Sequence, residues 1–166
     1  MNDISMIKPR ADKIEIFSMP NVILAGKARR NSSLADGAPG LWREMGEKKL
    51  FDIINGMPKA ISNHLMGWSG DCPEDESNVD RDFTYMIGAL VPYDTPIPDA
   101  LDYRVLRGTL VAKSVLGADM YETISQLNEM GYETNYGDCN GWNAELYLDG
   151  EEDEDKWCWL IPVRKR

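Results

Sequence analysis

The sequence predicts an α+β fold of two units that share one order of elements, strand, helix, strand, strand. The strands form a largely antiparallel surface, the helices lie across it, and a ligand cleft falls between the pseudo-twofold related halves. Three observations predict this. The order of elements occurs twice: Tyr103 stands 86 positions after Phe17, and at the same offset Val105 falls on Met19, Leu110 on Leu24 and Lys113 on Lys27. A repeat this long indicates two fused copies of one unit, not a solenoid. The stretch "PYDTPIPDA" separates the two runs, and its proline spacing keeps the backbone extended. Finally, 166 residues with 43% hydrophobic content suffice for one well-buried core and are too few for two ordinary domains. The expectation is a single domain over 1–166, with a first unit at about 13–91, a connection at 92–100 and a second unit at about 101–165.

The elements follow in order. "KIEIFSMPNVILAGKAR" is extended with a kink at Pro20, where the missing N–H interrupts a strand. "LWREMGEKKLFDIINGM" predicts one helix with Trp42, Met45, Leu50, Ile53, Ile54 and Met57 near one stripe. "HLMGWSG" and "FTYMIGALV" predict strands joined by the polar loop "DCPEDESNVDRD". After the connection, "LDYRVLRGTLVAKSVLG" is extended again and "DMYETISQLNEMG" is helical. Asp119 is the expected N-cap, Glu122 stands three residues on, and Gly131 is placed to end the helix. Tyr121, Ile124 and Leu127 are expected on one face of it. "GWNAELYLDG" and "KWCWLIPV" supply the last two strands.

Composition excludes several functions. A formal charge of -10 opposes any sequence-independent grip on nucleic acid, which needs a basic surface to displace counterions, and favours positively charged partners. The N-terminal stretch "MNDISMIKPRADK" has no apolar run of signal-peptide length, and no apolar stretch approaches the ~20 residues of a membrane span. A soluble cytoplasmic protein without membrane contact is expected. Cys72, Cys139 and Cys158 lack C-x-x-C spacing, so reduced thiols are expected, with no disulfide framework, no zinc site and no other metal or cofactor. The single histidine, His64, leaves no room for a multi-histidine metal site, and no Walker or dinucleotide glycine pattern occurs.

One residue stands out. Read with period two, "WNAELYLD" puts Trp142, Ala144, Leu146 and Leu148 on one face and Asn143, Glu145, Tyr147 and Asp149 on the other. Glu145 is then either a solvated carboxylate on an outer sheet face or a single charge set among aromatic rings to meet a cation.

Over roughly residues 13–165 the chain resembles the gyrase-inhibitor-like small-molecule-binding domains, the fold that also serves as effector-binding part of AraC-type and multidrug-sensing MerR-type regulators. The resemblance rests on "DFTYMIGALV", similar to an aromatic-x-x-Gly strand; on "LDYRVLRGTLVAKSVLG", similar to the second-half opening; on "AELYLDG", similar to a Glu-x-Tyr strand; and on the ending "WLIPV". The chain looks similar to short members from mobile cassettes that bind cationic drugs. The resemblance implies a module for amphipathic, cationic, drug-like aromatic compounds, with Glu145 as charge partner in an aromatic pocket. It also implies lining roles for Tyr121 and Trp42 on the two helices, for Tyr85 and Trp68 on first-half strands, and for Tyr147 beside Glu145. For each ring the alternative is core packing. Trp157 and Trp159 could form pocket wall, sheet face or a homodimer contact.

Two other functions remain open. Some relatives hydrolyse strained, cyclopropane-bearing electrophiles, in which case Glu145 is a general base assisted by a tyrosine hydroxyl. A gyrase-inhibitor-type interaction module would use the acidic surface instead, including Glu151 to Asp155, which lack the spaced ligands of a calcium loop and are expected at a solvated hairpin tip. Only about a dozen residues precede the first strand, so no helix-turn-helix and no direct DNA contact is expected, and any transcriptional role needs a DNA-binding partner protein.

Overall fold

The computed structural model describes residues 13–31, 34–70, 83–135, 142–147 and 157–166. The loop "DCPEDESNVDRD", with Cys72 in it, together with Cys139, Leu148, Asp149 and the acidic run Glu151 to Asp155, lies outside them. The elements are β1 (Glu15–Met19), β2 (Val22–Asn31), α1 (Leu34–Glu47), α2 (Leu50–Asn55), β3 (Met66–Gly70), β4 (Phe83–Pro92), β5 (Asp102–Leu106), β6 (Thr109–Lys113), α3 (Met120–Glu129), β7 (Tyr132–Thr134), β8 (Asn143–Tyr147) and β9 (Trp157–Lys165). The architecture is α+β, and every strand pairing among the described residues is antiparallel.

Pro20 divides β1 from β2, as its missing donor requires. The single helix expected over "LWREMGEKKLFDIINGM" is instead two helices. Lys49 takes a left-handed conformation (φ 56°) after its N–H tightens the last turn of α1 onto Gly46 O at 3.2 Å. This turn lets Leu41 and Met45 of α1 and Leu50 and Ile54 of α2 reach one buried cluster. In α3 the Asp119 carboxylate accepts from the N–H groups of Tyr121 and Glu122, and Gly131, at φ +93°, follows the helix end. β7 was not expected; it pairs with β9 beyond the reach of β8.

The strand order is β1-β6-β9-β8-β3-β4-β2-β5, with β7 also on β9. Strands from before and after the 93–100 connection are interleaved: β1 pairs with β6, β2 with β5, and β3 with β8 in the middle of the sheet. The sheet is curled, because Met19 of β1 and Leu106 of β5, from opposite ends of the order, share one buried cluster. That inner face also holds Trp68, Met86, Trp142, Ala144, Leu146 and Leu160. Gly26 and Gly88 face each other across β2 and β4, and a Cβ on either would run into the partner backbone, so the two strands can approach there only as glycines.

On the outer face, α1 and α2 cover β2 and β4 through Ile23, Ala25, Ile87, Ala89 and Val91. Farther along, α3 covers β6 and β9 through Ala112, Leu127, Ile161 and Val163. Between these two helical layers, the outward residues of β3 and β8 belong to neither hydrophobic cluster and are buried or half-buried.

Candidate functional site

The middle of the sheet carries alternate residues of two short strands on its outer face. On β8, Ala144 and Leu146 enter the inner core, which turns Asn143, Glu145 and Tyr147 outward, as period two demands. On β3, Met66 and Trp68 enter the same inner core, which turns Gly67 and Ser69 outward. Pairing sets Glu145 between Gly67 on one side and Trp159 of β9 on the other, with Tyr147 opposite Trp157.

Four of the six expected site residues meet here. The Tyr147 hydroxyl donates to Glu145 Oε2 at 2.8 Å. The Tyr85 and Tyr147 hydroxyls lie 3.3 Å apart. A phenol has one proton, and that of Tyr147 is used on Glu145, so Tyr85 is the donor to Tyr147. The donors thus run in one direction, Tyr85 to Tyr147 to Glu145, and end on the carboxylate, an order that favours its charged form.

Burial works against that form. Glu145 is half-buried, and desolvation raises its pKa above the ordinary carboxylate value, with the Tyr147 hydrogen bond as the opposing influence. Burial also raises the pKa of Tyr147, and the neighbouring Tyr85 and Glu145 raise it further, so its proton stays in place as a donor. Among the described residues no lysine or arginine forms an ion pair with Glu145, and none contributes to its pKa.

The rings form a continuous row. Trp42 stacks on Phe51 of α2 (5.6 Å, 26°) and meets Tyr147 edge-on (5.3 Å, 77°). Tyr147 meets Trp157 at 6.3 Å, and Trp157 meets Trp159 at 6.5 Å, both edge-on. Beyond Trp159 lies a groove of about 520 Å³ lined by Leu116, Gly117, Ala118, Asp119, Met120, Tyr121, Trp157 and Trp159. Glu145 is not part of that lining.

Two expected lining residues are elsewhere. Trp68 is 1% exposed in the inner core, on the opposite face of the sheet from Glu145, because it pairs with Ala144 while Gly67 pairs with Glu145. Tyr121 is not buried with Ile124 and Leu127. At about 100° per residue it stands some 120° around α3 from Leu127, and it is 77% exposed at the edge of the groove. Thr123 takes the buried position instead. Gly67 was not anticipated, although an isolated glycine inside a strand marks a place where something approaches closely. A Cβ there would lie 2.6 Å from Tyr147 Oη and closer still to Tyr85 Oη.

Among the described residues no group of three metal-ligating side chains occurs, and no helix is long and apolar enough to cross a membrane. Cys158 is buried in the inner core with its thiol pKa pushed up to about 12 by desolvation.

No family model matches the chain, and no curated protein matches it in sequence. Solved structures do match in fold. SAV2435 bound to tetraphenylphosphonium superposes with a TM-score of 0.65 at 14% identity over 92% of this chain and 94% of that one. A protein from Staphylococcus aureus MU50 gives 0.61 at 14% identity, covering 92% and 98%. An integron cassette protein from the mobile metagenome of Vibrio cholerae gives 0.53 at 12% identity, covering 92% and 97%. The fold is the one that the sequence resemblance implies.

Proposed function

We propose that this chain binds amphipathic, cationic aromatic small molecules at the middle of its sheet, with Glu145 as charge partner and Trp42, Tyr85, Tyr147, Trp157 and Trp159 as the aromatic surroundings. One observation carries the reading: a half-buried carboxylate has a tyrosine hydroxyl for a partner and, among the described residues, no cation. Such a group is costly unless a positive charge arrives from outside. A cationic guest would supply that charge and gain cation–π attraction from the ring faces, on the order of 0.5–2 kcal/mol for each desolvated contact. The likeness in fold to a protein bound to tetraphenylphosphonium supports the ligand class.

Titration with tetraphenylphosphonium tests the reading through tryptophan fluorescence and calorimetry. Micromolar binding, about 8 kcal/mol, is expected, with neutral triphenylphosphine oxide bound at least ~10-fold more weakly. Equal affinity for the two compounds would remove the charge partner from the account. The hydrolytic alternative uses the same carboxylate as a base, for which a raised pKa is also suited. Turnover of a cyclopropane-bearing electrophile, lost in Glu145→Gln, would favour it over passive binding.

A further inference from the structure

We propose that the groove beyond Trp159 is a second subsite for the same ligand, one that takes an uncharged apolar or aromatic arm extending from a cation held at Glu145. The inference rests on the reading of Glu145 above and narrows it: the preferred ligands are elongated amphiphilic cations, not compact ones.

Continuity is the first argument. Trp159 is the cross-strand partner of Glu145 and Trp157 that of Tyr147, and both indoles line the groove. Residues paired across antiparallel strands have Cα atoms roughly 4.5–5.5 Å apart, so the groove begins one strand away from the carboxylate.

The chemistry of the lining is the second. The Trp159 indole N–H already donates to Ala118 O at 3.1 Å, so this ring offers the groove apolar surface and no free donor. Leu116, Met120, Tyr121 and Trp157 add further apolar surface. The lining contains no lysine or arginine, and the Asp119 carboxylate is engaged by the Tyr121 and Glu122 N–H groups at 2.9 and 3.0 Å. The end of α3 is thereby capped from within the chain, and the groove is shaped for neither an anion nor a second cation. Tyr121, 77% exposed, and Trp157, 36% exposed, leave two large rings uncovered at this place. Both rings border the groove and add exposed apolar surface to it.

Calorimetry with methyltriphenylphosphonium and pentyltriphenylphosphonium tests the proposal, because the two probes share a head and differ in arm. A fully buried methylene strengthens binding roughly fourfold, so the pentyl compound is expected to bind the wild-type chain at least ~10-fold tighter. In Ala118→Leu, which fills the groove, and in Tyr121→Ala, which removes an exposed wall, the affinity ratio of the two compounds should fall toward one. Glu145→Gln should weaken both compounds and preserve the ratio. A ratio that survives both groove variants overturns the second subsite. A Glu145→Gln variant that binds the methyl compound as tightly as wild type overturns the reading of Glu145 instead, and the two results are read independently.

Discussion

Gly67→Ala places a single methyl group under the hydrogen-bond chain that ends on Glu145. The added Cβ would stand 2.6 Å from Tyr147 Oη and closer to Tyr85 Oη, whereas ordinary contact needs 3.4–4 Å. Each hydroxyl must therefore retreat by about 1 Å, and the Tyr147–Glu145 bond, now 2.8 Å, would lengthen beyond hydrogen-bond range. Overpacking of this kind costs about 1–3 kcal/mol, and a hydrogen bond to a charged group is worth about 1.5–3 kcal/mol. At this chain length each kcal/mol lowers Tm by roughly 2–4 °C. The variant should melt several degrees below wild type, and its Glu145 should titrate at a still higher pH, having lost its donor. Thermal unfolding gives the first quantity and the pH dependence of cation affinity the second. A cycle with Tyr147→Phe adds a control: removing that hydroxyl relieves part of the clash, so Gly67→Ala should cost less in the Tyr147→Phe background. If Gly67→Ala melts within a degree of wild type and binds a cation with the same pH profile, the hydroxyls do not depend on the bare strand and the geometry of the chain is misread.

Two further outcomes follow from the same structure. Because burial raises the Glu145 pKa, its ionisation disfavours the folded ligand-free state: stability is highest below the unfolded carboxyl pKa and falls as pH rises through the higher folded value. Glu145→Gln should remove that slope, and in wild type cation affinity should weaken as pH falls through the same folded pKa. Cleavage within the 93–100 connection should leave halves with no cooperative thermal transition of their own, since among the described residues β1 pairs only with β6 and β5 only with β2. A monomeric half that melts cooperatively would contradict the single-domain reading.

Much of the fold can be read in the sequence because local patterns determine it. Alternation along 142–147 places Glu145 and Tyr147 outward and Trp142, Ala144 and Leu146 inward, as the structure has them. Pro20, Asp119 and Gly131 mark boundaries through backbone chemistry that acts within a few residues. Non-local features are not legible in this way. Trp68 and Glu145 lie on neighbouring strands, and whether they share a face depends on register, where a shift of one residue inverts every side chain. The β1–β6 and β2–β5 pairings likewise join residues far apart in the chain. Lys49 adopts its left-handed turn without a glycine or proline to announce it, and the three-residue β7, "YET", has no apolar run. Tyr121 shows the limit of spacing by threes: two steps of three drift some 120° around a helix, so the first residue of the series leaves the buried face.

The most direct measurement compares tetraphenylphosphonium affinity in wild type and Glu145→Gln by calorimetry at low and moderate salt. Glutamine keeps the size and accepts the Tyr147 hydroxyl but carries no charge. The account predicts weakening by at least ~1.4 kcal/mol, tenfold, in the variant, with little change for a neutral isostere and little salt dependence of the difference. Unchanged affinity in Glu145→Gln, together with binding that falls with salt in both proteins, would mean that the cation is held by the net charge of -10 and not by the carboxylate among the rings.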